Sequence, residues 1–138
     1  MSLNQELIKN RCQEIEESLN RLEKIKAQLK EDFLKDQDMQ DIACYRLLVA
    51  IEAALGLCYH VAAKELKKVP EEYAECFTIL TNAGIIPTGL SKSLQRMARF
   101  RNPLVHMYWK IDYAALYEMI RHNLKDLRQF SEAVVALL

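Results

Sequence analysis

Apolar residues recur at steps of three and four along most of this chain, a spacing that amphipathic helices satisfy and strands do not. Between about Asn4 and Phe33 the stripe runs Ile8, Cys12, Ile15, Leu19, Leu22, Ile25, Leu29 and Phe33, with Glu, Lys, Gln and Asn on the other face. One long helix is predicted there. Its seam resembles a heptad, which suits packing in a bundle and leaves a dimer contact open.

Only three Gly and three Pro interrupt the 138 residues, so helices have few places to stop. Asp36-Gln37-Asp38 supplies turn and cap chemistry for a second helix, roughly Met39 to Lys68. That helix is apolar on most of its circumference between Ile42 and Ala63, long enough to raise the question of a membrane span. Arg46, Glu52 and His60 interrupt it, which points to the central helix of a bundle and away from a membrane. Pro70 opens a third helix, Glu71 to about Asn82, with Tyr73, Phe77 and Leu80 inward and Gly84 as C-terminal cap. Thr88 is a candidate N-cap for a fourth, from Gly89 towards Arg101. Asp112 caps a fifth that runs to the C-terminus on the stripe Ala115, Leu116, Met119, Ile120, Leu124, Leu127, Phe130, Val134 and Leu138. The expected architecture is all-α: an up-and-down antiparallel bundle of four to five helices, one domain over residues 1–138.

Lys plus Arg equals Asp plus Glu at 19 each, which excludes a globally basic nucleic-acid footprint. Any such contact must come from a local patch. Lys92, Arg96 and Arg99 share a face of the fourth helix that leads to Arg101, with Lys110 beyond. This is either a solvated face or a track for RNA phosphates. Cys12, Cys44, Cys58 and Cys76 are scattered through apolar stripes with no Cys-x-x-Cys pair. They read as free core thiols, and with a polar N-terminus they favour a cytoplasmic location. His122 and Asp126, at i, i+4, read as a solvated pair; no metal site and no cofactor is expected. His60 reads as a hydrogen-bonded rim residue. Arg46 and Glu52, charged positions in an apolar helix, read as a structural pair or helix-edge residues, with positioning of Arg101 as a further role.

The chemistry-bearing stretch is Phe100-Arg101-Asn102-Pro103-Leu104-Val105-His106-Met107-Tyr108-Trp109. Proline disfavours helical dihedrals at the residue before it and suits a first helical turn. The fourth helix is therefore expected to end near Arg101, with Asn102 capping a short turn from Pro103. Arg101, His106 and Tyr108 would then straddle a break at the end of the bundle. A guanidinium holds phosphate through two hydrogen bonds and stabilises charge developing on it. An imidazole moves protons near neutrality, and Tyr108 can orient either partner. Ribose carries its own nucleophile, the 2′-hydroxyl, so no metal is required and RNA is selected over DNA. By residue type alone, His106 also fits a plug at the bundle end, and Tyr108 and Trp109 fit rim aromatics.

The segment Arg101-Asn102-x-x-x-His106-x-Tyr108 resembles the Arg-x4-His-x-Tyr signature of the HEPN superfamily, in its HepT branch. Arg46 to Glu52 resembles that branch's second helix. Tyr73 to Phe77, with Leu80 and Gly84-Ile85-Ile86, resembles its third helix and turn. Leu104-Val105 and Ile111-Asp112 complete a likeness from about Asp41 to Phe130. The resemblance implies an all-α homodimer, with room for higher assembly, whose two signature segments face each other across the two-fold axis. It further implies a metal-independent endoribonuclease toxin in which Arg101 and His106 are catalytic and Asn102 and Tyr108 supporting. The implied partners are RNA and a minimal nucleotidyltransferase antitoxin of the MntA type, which transfers AMP to Tyr108. The alternative is a non-catalytic HEPN module that binds nucleotide or RNA and pairs with a nucleotidyltransferase. A purely structural dimerising bundle would explain the helices and leave the signature without a role.

Overall fold

A computed structural model describes residues 3–138, except for the side chain of Tyr108. Seven α-helices follow one another: α1 (Gln5–Lys26), α2 (Lys30–Phe33), α3 (Gln37–Lys64), α4 (Tyr73–Asn82), α5 (Thr88–Ala98), α6 (Arg101–His106) and α7 (Tyr113–Val135). A 3-10 turn, Tyr108–Lys110, joins the last two, and no strand occurs among the described residues. Five principal helices and two short ones form the expected all-α bundle.

α3 is the axis of the bundle. It packs against α1 along its length and against α4, α6 and α7. Ala43, Leu47, Ala50, Ile51, Ala54, Leu57, Cys58 and Val61 are buried all round it. Its length and apolarity would also suit a membrane span; here those residues lie in the bundle core with Ile8, Leu19, Leu22, Phe77, Leu124 and Phe130. Phe77 and Phe130 meet edge to face, their centroids 5.8 Å apart. The four cysteines are free. Burial raises the Cys58 thiol, and burial together with Asp41 pushes Cys44 up to about 11.

Three predicted caps form as expected. Asp36 accepts from the Met39 amide at 3.1 Å and Asp112 from the Ala115 amide at 3.0 Å. Gly84 takes φ 77°, and the amides of Gly84 and Ile85 close onto Thr81 and Leu80. Thr88 does not cap: it is the first residue of α5, preceded by Pro87 in the extended conformation. The third helix starts at Tyr73 instead of Glu71. The second ends at Lys64, short of Lys68, because Lys67 turns to φ 56° and the Lys68 amide closes back onto Ala62.

The single N-terminal helix is corrected to two. After Lys26 the chain turns and Leu29 becomes extended and 65% exposed. α7 imposes the break. Tyr117 donates its hydroxyl to the Gln28 carbonyl at 2.5 Å, and Arg121 donates to the Lys26 carbonyl at 3.2 Å. Those carbonyls would otherwise sit at a helix end without partners. Phe33 then folds in against Tyr117, centroids 5.5 Å apart. In α7 the stripe is buried from Leu116 to Val134, while Ala115 and Leu138 at its two ends are exposed.

Candidate active site around the Arg101–His106 helix

Pro103 sets the local backbone. A continuous helix would need an amide at residue 103 bonding to the Arg99 carbonyl, and proline has neither the amide nor room for that carbonyl. α5 accordingly tightens at its end: the Arg99 and Phe100 amides reach only three residues back, to Arg96 and Met97. The ladder restarts when the Leu104 amide bonds to Phe100 at 3.0 Å. The break thus falls at Arg99–Phe100, two residues earlier than predicted, and Asn102 lies inside α6 instead of capping it. Proline is tolerated in a first turn, where amides lack helical partners anyway, and half-buried Phe100 and Leu104 anchor the segment to the core.

The break aims Arg101 at α3. Its Nε donates to Glu52 Oε1, and Nη2 donates to Oε2 at 3.3 Å. The guanidinium carbon lies 5.4 Å from the centroid of the Tyr73 ring, a cation–π distance. The hydrogen bond that Arg101 donates to Glu52 holds it above its usual, already high value, with partial burial acting the other way. Two of the five guanidinium N–H groups are committed to Glu52, so the Nη1 side keeps its donors for a phosphate. Arg101 opens onto a cavity of about 390 Å³ between α4 and the α5–α6 joint, lined also by Glu72, Tyr73, Gln95, Arg99 and Asn102.

His106 is the last residue of α6, exposed, with no hydrogen-bond partner among the described residues. It stands five positions after Arg101, with four residues between. Helix geometry turns the two about 140° apart around the axis and about 7.5 Å apart along it. His106 is not among the residues that line the Arg101 cavity. Tyr108 opens the 3-10 turn that follows, and its side chain lies outside the described residues. Val105 and Trp109, 40% and 67% exposed, flank His106.

Of the basic residues, Arg99 lines the Arg101 cavity and a second recess that it shares with Pro103, Leu104 and Lys110. Lys92 and Arg96 are exposed and line neither; Arg96 donates to Ser93 at 3.0 Å. Among the described residues none of these four has an acidic partner. Glu52 proves to be paired with Arg101, whereas Arg46 lies by the Tyr45 ring. Tyr73, read from sequence as a core residue, is half-buried beneath Arg101. His122 and Asp126 are not a pair: His122 faces Glu118 at 3.3 Å, and Asp126 is buried and accepts from Asn123 at 2.9 Å. His60 accepts from the Asn4 amide at 3.0 Å, as a rim residue should.

The family model for Ribonuclease HepT-like proteins matches residues 15–134, which takes in every residue of this site. The chain belongs to the HepT-like ribonuclease family. Among its relatives is the mRNA nuclease HepT of Shewanella oneidensis, 25% identical over 134 residues that cover 95% of this chain and 98% of the relative. A second, from Methanocaldococcus jannaschii and named a putative RNase, is 21% identical over 104 residues, 75% of this chain and 77% of its own. In solved structures the HepT-like fold recurs with a TM-score of 0.86 and 25% identity, over 97% of this chain and 99% of the other. That structure is a tri-AMPylated HEPN toxin from Shewanella oneidensis in complex with an MNT antitoxin. A cytosolic protein of unknown function from Bacillus subtilis shares the fold alone, with a TM-score of 0.87, 17% identity, and 99% and 91% coverage.

Proposed function

We propose that this HepT-like chain is a metal-independent endoribonuclease toxin that acts in the cytoplasm through Arg101 and His106. A general base, the imidazole of one His106, takes the proton of a ribose 2′-hydroxyl. The freed oxygen attacks the adjacent phosphorus, the bond from phosphorus to the 5′ oxygen breaks, and the same imidazole, now protonated, returns the proton to that oxygen. The products are a 2′,3′-cyclic phosphate and a 5′-hydroxyl. Arg101 stabilises the charge that builds on the phosphoryl oxygens. Glu52 and Tyr73 act as positioning residues, Asn102 supports the cavity wall, and Arg99 and Lys110, with Lys92 and Arg96 further along, meet flanking phosphates.

The observation that carries this reading is Arg101, clamped along one side by Glu52 and open on the other at the mouth of a cavity. Because one α6 turns its Arg and His apart, the working unit is a homodimer in which two such helices face each other. The exposed Val105 and Trp109 supply apolar surface for that contact. Control follows by analogy with the AMPylated toxin of the solved complex. A minimal nucleotidyltransferase antitoxin transfers AMP to Tyr108, setting an anionic phosphate among the groups that bind the RNA phosphate.

The test is cleavage of mixed RNA in EDTA by wild type and His106→Ala. Cyclic-phosphate ends from wild type and none from the variant are expected. Cleavage by both at the same rate would remove His106 from the reaction, and cleavage by neither would leave an RNA-binding module.

A further inference from the structure

We propose that the cavity beside Arg101 is a nucleobase subsite, holding one base of the bound RNA while the phosphate next to it rests on Arg101. The proposal deepens the reading of the chain as an RNA-cleaving enzyme and rests on it. About 390 Å³ lies at the lower end of the range for small-ligand pockets, roughly 300–1,000 Å³, a size suited to a nucleoside and not to a folded partner. The lining separates by chemistry. Arg101 stands at the mouth with its Nη1 side uncommitted, and Arg99 lies beside it without an acidic partner among the described residues. The rest of the lining includes Tyr73, Ala74, Ala98, Gln95 and Asn102.

Phosphate belongs with the guanidinium groups and gains nothing from the alanine methyls and the tyrosine ring that also line the cavity. The group suited to that recess is the planar, polar-edged base carried on the ribose beside the phosphate. The Arg99 guanidinium plane is a stacking surface of the kind that single-stranded RNA bases use, and the Tyr73 ring, with Arg101 over one face, adds an aromatic wall. Gln95 commits one amide hydrogen to Ser91 at 3.0 Å, which fixes the side chain and leaves its carbonyl and second hydrogen for a base edge. Asn102 adds a second exposed amide. Amides offer both donor and acceptor, as purine edges require. Glu72 at the rim repels a second phosphate and accepts from an amino or imino group.

The experiment uses a short single-stranded RNA made uncleavable by 2′-O-methylation, with each base in turn replaced by an abasic ribose. Affinity is measured for wild type, Gln95→Ala and Ala74→Trp, the last intended to fill the recess without removing a polar group. Wild type is expected to lose about tenfold in affinity at one position, from the stacking lost there. That position should cost less than about threefold in Ala74→Trp, and Gln95→Ala should lie between. A flat abasic profile in wild type, no binding at all, or an undiminished penalty in both variants overturns the subsite. Cleavage of unmodified RNA is scored in parallel. Cutting with a flat profile discards the subsite and keeps the nuclease; a base-dependent profile without cutting discards the nuclease and keeps the subsite.

Discussion

Replacing Glu52 with Gln separates the two things that a carboxylate beside Arg101 can do. It can hold the guanidinium in place, or it can compete with RNA for it. The structure favours holding, because Glu52 engages Nε and Nη2 and leaves Nη1 to a phosphate. The stability at stake is small. The two side chains are 28% and 47% exposed, so solvent screens the pair, and even with two hydrogen bonds it contributes at most about 1 kcal/mol. For a chain of this size that is about 2–4 °C in Tm. The catalytic cost should be larger, since a displacement of about 1 Å at a reacting group can cost about 100-fold in rate. Glu52→Gln should therefore lower kcat for RNA cleavage by about 10- to 100-fold while KM stays within about threefold. Arg101→Lys should do at least as badly, because an ammonium cannot span both Glu52 oxygens and still present a flat donor edge. Initial rates across RNA concentrations, beside a thermal melt, provide the check. A Glu52→Gln enzyme as fast as wild type, or faster at low RNA, would mean that the carboxylate competes, and the positioning role would be refuted.

Tyr108→Phe should resist AMP transfer by a cognate nucleotidyltransferase, seen as the loss of a mass increase per adenylate. If the partner still silences the variant, control does not run through that hydroxyl. Arg101→Ala and His106→Ala chains, each inactive alone, should recover about a quarter of wild-type cleavage when refolded together, since half the dimers then carry one intact site; no recovery would put both groups to work in one copy. Gly84→Ala should lower Tm by about 2–8 °C. Nothing lies within 4 Å of the new Cβ, so the cost is that of φ 77° for a residue with a side chain, about 1–2 kcal/mol. A melt unchanged from wild type would contradict that. Burial first, and then Lys64, lowers the His60 pKa below 6.5. The unfolded chain therefore binds the proton more readily than the folded one. Stability should be complete above pH 6.5 and fall as pH drops below it through the lowered folded value. His60→Gln, which keeps an acceptor for the Asn4 amide, should flatten that part of the urea-midpoint profile; an unaltered slope would clear His60 of the effect.

Features written in local chemistry were legible in the sequence. Asp36 and Asp112 as caps, Gly84 as a left-handed stop and the stripe from Leu116 to Val134 need only neighbouring residues to act. The break after Lys26 was not legible, because no glycine or proline marks it. The side chains that capture its carbonyls, Tyr117 and Arg121, lie 89 and 95 residues away. The site divides in the same way. Arg101 and His106 stand in a recognisable signature, and the family match covers them. Glu52 read as a structural charge in an apolar helix with positioning of Arg101 only as a further role, and its bond to a residue 49 positions on required the fold. Tyr73 sat at a core position of its stripe, and nothing local distinguished a ring under a guanidinium from a ring among leucines.

Pro103 connects these observations to the assembly. By breaking the helix at Arg99–Phe100 it starts α6 afresh, so Arg101 begins a helix and is drawn to Glu52, while His106 ends it, exposed and outside the lining of the Arg101 cavity. To bring both groups of one copy to a single phosphate, Arg101 would have to leave Glu52 and Tyr73, or α6 would have to unwind. The first surrenders a two-point ion pair; the second surrenders the packing of Phe100 and Leu104 on the core. A second α6, approaching across the exposed Val105 and Trp109, asks for neither. On the proposed mechanism, the backbone break that fixes the guanidinium would leave a lone chain incomplete, and recovery of cleavage by mixed Arg101→Ala and His106→Ala chains is the test of that.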